Sequence, residues 1–140
     1  VPVELTKDSI DLGIVVRDAQ AALAFYRDVL GLEPAGEMPM PGGGVGGSGG
    51  TMYRLRCGTS TIKLVHLDTP PATPAPPGGI PGALGYRYWT ISVSNLEELT
   101  QECADAGHRV VVPVREIRPG TSISIVEDPD GNWVELLRTT

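Results

Sequence analysis

Chemistry has few places to reside in this 140-residue chain. The two histidines stand apart: His66 ends one alternating stretch, and His108 follows Gly107 where a helix should stop. Cys57 and Cys103 lie in different halves without Cys-x-x-Cys spacing. They read as reduced, half-buried thiols, with a disulfide or a nucleophilic thiol as alternatives. Ser122 and Ser124 have no visible histidine base, so serine nucleophilic catalysis is not expected. The remaining candidates are charged side chains on short alternating segments: Asp11, the cations Arg54, Arg56 and Lys63, and Glu135. Such groups can pair with one another, hold an anion or move a proton. His66 has the opposite strand parity to Lys63, and His108 should be solvated, so a two-histidine, one-carboxylate iron site cannot be assembled.

The elements that position these residues follow from periodicity. Ile10, Leu12, Ile14 and Val16 alternate with polar or small residues, which reads as a strand packed on helices. Asp18 is a good N-cap for a helix over 19–30, whose apolar side is Ala22, Leu23, Phe25, Tyr26, Val29 and Leu30, and Gly31 should end it. A short strand is expected near 32–38. The glycine run 42–50 should be a mobile connection, or a lid that orders on ligand, because glycine loses the most backbone entropy on ordering. No Gly-Lys-Ser/Thr ends that run, so it is not a phosphate loop. Residues 51–57 and 60–67 read as a hairpin around Gly58-Thr59. Six prolines between 70 and 81 mark an extended linker.

The order then repeats. A strand over 86–94 precedes a helix over 95–106, capped by Asn95, with Leu96, Leu99, Cys103 and Ala104 inward. Gly107 ends it. Strands are expected near 109–115, 121–127 and 132–138, with Pro129-Asp130-Gly131 supplying the turn between the last two. Each half is therefore β-α-β-β-β. Internal repetition of this kind implies two half-domains about a shared cavity.

Composition narrows the function classes. The chain is 41% hydrophobic, as expected of one globular domain. Its net charge of −6 argues against nucleic acid or an anionic membrane as the main partner. No apolar run approaches the roughly 18 residues of a membrane span. The first residues, Val1-Pro2-Val3-Glu4, have neither a basic region nor an apolar run, so no signal peptide is expected and the expected location is cytoplasmic.

Two segments resemble the vicinal oxygen chelate superfamily, which includes glyoxalase I, bleomycin resistance proteins and extradiol dioxygenases. The first is Val16-Arg17-Asp18 followed by Ala24-Phe25-Tyr26-Arg27-Asp28-Val29-Leu30-Gly31-Leu32. The second is Asp128-Pro129-Asp130-Gly131-Asn132-Trp133-Val134-Glu135-Leu136. The resemblance implies an α+β fold: two βαβββ modules, each curving a mixed sheet around a shared cleft. Module one would span 8–67, the proline-rich linker 68–84 and module two 85–140. Homodimerisation is also implied.

Relatives commonly hold a divalent metal through a His in the first strand of each module, seven residues before the cap, and a Glu in the last strand. Carried onto this chain, those positions are Asp11, Lys63, Tyr88 and Glu135. Only Glu135 is the family residue. An ammonium among the ligands would repel a divalent ion. An Asp11–Lys63 ion pair and a Tyr88–Glu135 hydrogen bond would satisfy the four positions without metal. The alternatives are a remnant network holding the sheets together, or a metal site built from Asp11, Glu135 and Tyr88.

Strand parity then places Arg54 and Arg56 with Lys63 on a basic wall, and Thr90, Ser92, Ser122, Ser124 and Trp133 with Tyr88 and Glu135 on a hydroxyl-rich one; the alternative, for Arg54 and Arg56 above all, is the solvated outer face of an open sheet. Trp133 offers stacking area to a planar ligand, and the basic wall suits a carboxylate or phenolate. The function expected is small-molecule binding in a metal-free, cofactor-free cleft. Such a protein would sequester a small organic ligand of anionic or aromatic character, or act as a metal-independent isomerase or lyase. In the enzyme, Glu135 or Asp11 would be the base and Tyr88 or Lys63 the acid or electrophile. The alternative is a divalent-metal-dependent glyoxalase-, epimerase- or dioxygenase-like enzyme.

Overall fold

A computed structural model describes all residues, Val1–Thr140. The alternating segments become eight strands: β1 Asp11–Val15, β2 Glu33–Met40, β3 Gly50–Cys57, β4 Ser60–Leu67, β5 Tyr88–Ser92, β6 Val110–Arg118, β7 Thr121–Glu127 and β8 Trp133–Thr139. The helices are α1, Ala19–Leu23, and α2, Leu96–Asp105. They lie between β1 and β2 and between β5 and β6. Two separate four-stranded sheets form, ordered β1-β4-β3-β2 and β5-β8-β7-β6. The first strand of each module runs parallel to the last. Both modules thus share one topology, as the repeat implies, and the fold is α+β.

Local chemistry explains the helix boundaries. The Asp18 side chain accepts from the Ala21 N–H at 3.1 Å, the expected N-cap. Beyond Leu23 the helix widens into a π-helical stretch, Ala24–Val29. Its five-residue hydrogen bond from Leu30 N–H to Phe25 O turns both Phe25 and Tyr26 inward. Gly31 and Gly107 end their helices at φ +75° and +88°, where a Cβ would be strained. Asn95 stands at the N-cap of α2 without a side-chain hydrogen bond. Ala104 is exposed, and Thr100 takes the inward place instead, bonding Ser124 at 2.7 Å.

A single core joins the modules. Phe25, Tyr26 and Leu64 from the first half pack in one cluster with Leu96, Val126 and Leu136 from the second. Phe25 meets His108 edge-on at 4.7 Å, so His108 packs against the core and is not a freely solvated turn residue. The Tyr26 ring stacks on Trp89 at 6.4 Å, and its hydroxyl donates to Asp128 Oδ2 at 2.6 Å. Asp128 also accepts from the N–H groups of Asp130 and Asn132 and from the Asn132 amide. Burial raises the Asp128 carboxyl above its usual range and, with the adjacent carboxylate, pushes the Tyr26 phenol well up.

Two segments expected to be open close upon themselves. In the glycine run, Gly43 N–H reaches Gly47 O at 2.7 Å and Gly49 N–H reaches Gly46 O at 2.9 Å. Ser48 Oγ then accepts from Thr69 N–H at 3.0 Å, which ties this turn to the start of the linker. The linker folds back on module two. The Arg87 guanidinium donates to the carbonyls of Gly79, Pro76 and Pro77 at 2.7, 3.1 and 3.2 Å. Gly79 lies so close to Trp133 that a Cβ there would stand 2.0 Å from the indole ring.

Candidate binding site

β1 and β5 each pair on one side only, and the cavity lies between them. It is a half-open cleft of about 1170 Å³. Consecutive residues of both strands line it, from Ile10 to Arg17 and from Tyr86 to Ser92, so both strand edges form its walls. Arg17 N–H donates to Asp130 Oδ2 at 3.1 Å, bridging the modules beside the cleft. The linker residues Pro71, Thr73, Pro74 and Ala75 contribute to the lining. Asp11, Tyr88, Thr90, Ser92 and Trp133 all reach this cleft. Lys63, Glu135, Arg54 and Arg56 stand on the sheets beside it, outside its lining.

The polar contacts differ between the modules. In module one, Asp11 Oδ2 pairs with Lys63 Nζ at 3.1 Å, as expected, and Asp11 Oδ1 takes Lys7 Nζ at 2.6 Å. The Lys7 hydrogen bond, followed by that of Lys63, lowers the Asp11 carboxyl from its ordinary value. The row across β1, β4 and β3 is Gly13, Lys63 and Arg54. Arg56 stands one row along, beside Thr61. In module two, Glu135 Oε1 accepts from the Thr90 hydroxyl at 2.7 Å.

A family model for the Glyoxalase/Bleomycin resistance protein/Dioxygenase superfamily matches residues 9–136, nearly the whole chain and both modules. The chain belongs to this superfamily. Among curated proteins, no sequence matches it significantly. Among solved structures it is similar to a glyoxalase family protein from Enterococcus faecalis, at 26% identity over 96% of each chain and TM-score 0.66. It is also similar to a glyoxalase family protein from Bacillus cereus, at 19% identity over 98% of this chain and 96% of that one, with TM-score 0.79. A glyoxylase/bleomycin resistance protein/dioxygenase domain from Frankia sp. EAN1pec covers 99% of this chain and 94% of its own, at 18% identity and TM-score 0.73. The last two likenesses carry the fold alone.

For a glyoxalase-superfamily protein the donor set is unusual. The positions where the family resemblance implies metal ligands hold Asp11, Lys63, Tyr88 and Glu135, and the first two are joined in an ion pair at 3.1 Å. No three His, Cys, Asp or Glu side chains gather closely enough to hold a metal ion. The Lys63 ammonium has donors but no lone pair to offer a metal, and it is already engaged with Asp11 at 3.1 Å. The residues present therefore do not fit a divalent ion at this place.

Two expectations need correction. Ser122 and Ser124 do not share the Glu135 face. The turn over 128–132 sets Ser124 beside Leu136 and Ile125 beside Glu135, and directly opposed residues share a face. Ser124 is fully buried against Thr100 of α2, and Ser122 stands beside Arg138, which pairs with Glu97 of α2. Both serines belong to the helix-covered side. The Tyr88–Glu135 hydrogen bond is also replaced: Tyr88 lies in register with Trp133, and Thr90 is the residue beside Glu135.

Lys7 and Arg87 escaped the reading of the sequence. Lys7 precedes any regular element, and only its spacing of four from Asp11 hinted at a partner. Arg87 had a clearer signal. A proline-rich stretch presents carbonyls without matching N–H groups, and a nearby guanidinium is a natural donor to them.

Proposed function

We propose that this protein binds a small organic molecule in the cleft between β1 and β5 through its own side chains, without a coordinated metal. The observation that carries this reading is the Asp11–Lys63 ion pair at 3.1 Å, which occupies two of the four family ligand positions. The cleft's volume of about 1170 Å³ exceeds the roughly 300–1,000 Å³ typical of small-molecule sites. Its lining mixes aliphatic and aromatic side chains with polar ones that include Asp11, Thr90 and Ser92. The action this arrangement supports best is sequestration, enclosing a compound without changing it.

Elemental analysis of the purified protein, followed by calorimetric titration with zinc and nickel, tests the metal-free part. The expected result is no stoichiometric ion and no saturable uptake. One ion per chain that is lost on Asp11→Asn would overturn it. Binding is tested by screening aromatic acids and amides for an EDTA-insensitive rise in melting temperature.

A second reading, a metal-independent isomerase or lyase, is favoured by Glu135. Thr90 engages one of its carboxylate oxygens, and the other is free to accept a proton. Under that reading Glu135→Gln abolishes turnover and leaves ligand affinity intact. Loss of both together would argue for binding alone.

A further inference from the structure

We propose that the cation row on module one, Lys63 and Arg54 beside the notch at Gly13, is a carboxylate-recognition subsite that makes the cleft selective for anionic ligands. This rests on the cleft being a small-molecule site, and it names the class of molecule.

The charge arrangement is the first argument. Lys63 and Arg54 are directly opposed on adjacent antiparallel strands. Like charges so placed repel, since their Cβ atoms lie about 4.5–5.5 Å apart. Neither Arg54 nor Arg56 has a carboxylate within ion-pair distance, and neither makes a side-chain hydrogen bond. Asp11 is the sole acid paired to this group, and its shorter contact is to Lys7. Lys7, Lys63, Arg54 and Arg56 with Asp11 sum to +3 in a chain of net charge −6, so the remainder carries −9. An acidic protein that gathers four of its eleven cations on one face, two of them unpaired and two sharing one carboxylate, leaves that face in need of an anion.

Stereochemistry is the second. Gly13 lines the cleft, is the β1 neighbour of Lys63, and would meet no atom within 4 Å if it carried a Cβ. A ligand in the cleft that extends over Gly13 comes onto the row that Lys63 and then Arg54 continue along the sheet beside it. Lys63 has three N–H donors and spends one on Asp11, while all five of Arg54 are free. A planar carboxylate matches the guanidinium fork and accepts from the ammonium beside it. On module two the corresponding place beside Thr90 is Glu135, which repels an anion. The ligand's acid group is thereby directed to module one.

The test is calorimetric titration of the full chain with 1-naphthoate and with naphthalene-1-carboxamide, a neutral mimic of the same shape. The carboxylate should bind about tenfold more tightly at low salt. That advantage should shrink as salt rises. Arg54→Gln and Lys63→Gln, checked for folding by circular dichroism, should each bring the two probes toward equal affinity. The salt series on the unaltered protein stands even if a variant misfolds. Equal affinity of the two probes for the unaltered protein overturns the subsite and leaves the binding cleft standing. Failure of both probes to bind at millimolar concentration overturns the cleft and the subsite together.

Discussion

The Tyr26 hydroxyl and the Asp128 carboxylate meet at 2.6 Å, across a sequence distance that joins the first helix of one module to the closing turn of the other. The contact explains why an aromatic-rich helix end and an Asp-Pro-Asp-Gly-Asn turn occur together in this chain. Each is half of an intermodule joint. Tyr26→Phe removes one donor from a carboxylate that is 5% exposed. The expected loss is about 1–3 kcal/mol. Urea denaturation monitored by circular dichroism measures it, and an unchanged midpoint would show that the joint contributes nothing.

Lys63 puts an ammonium beside Asp11, at a position where the family resemblance implies a metal ligand. Lys63→Glu replaces the ammonium beside Asp11 with a second carboxylate on adjacent strands. Affinity for nickel or zinc should rise about tenfold or more above that of the unaltered protein. Isothermal titration reads this directly. A variant that binds no better would mean that backbone geometry, and not the ammonium, disfavours the ion.

The Asp11 carboxyl is held below its ordinary range, first by Lys7 and then by Lys63. A depressed folded-state value means that its contribution to stability is present above the unfolded value and lost as pH falls through the folded one. The group is exposed, so that contribution is small. Carbon-detected NMR titration should show the Asp11 midpoint rising in both Lys7→Gln and Lys63→Gln, with the larger rise in the former. The reverse order would place the stronger contact at Lys63.

Gly79 is where the linker rests on Trp133. Gly79→Ala combines a left-handed backbone, φ +64°, with a Cβ driven into the indole ring. The linker should lift, the tryptophan emission should shift to the red, and limited proteolysis within 76–82 should accelerate. Arg87→Gln should give the same proteolytic change, because the guanidinium holds three linker carbonyls. Unaltered cleavage in both variants would show that other contacts hold the segment.

Much of this was legible in the sequence, since each strand and helix follows from local periodicity. The Asp11–Lys63 pair was legible because both residues occupy fixed places in a repeated motif. Ser122 and Ser124 were misplaced because a residue's face in a hairpin depends on the register set by its turn, which numbering alone does not convey. Glu135 found Thr90 for the same reason: the parallel register sets Thr90 beside it and leaves Tyr88 beside Trp133. The linker's return over Trp133 and the closure of the glycine run were hidden because both depend on contacts made after the sheets exist. Arg87 reaches back to carbonyls as much as eleven residues away.

No strand pairing joins the two sheets, and the modules meet through their helices, the Tyr26–Asp128 joint and the Arg17–Asp130 bridge. A substitution on the open face of β4 therefore imposes no register penalty on β8. The two halves of a duplicated unit are free to drift apart in chemistry while inheriting the same frame. Lys63 and Glu135 stand at matching places in the two modules and carry opposite charge.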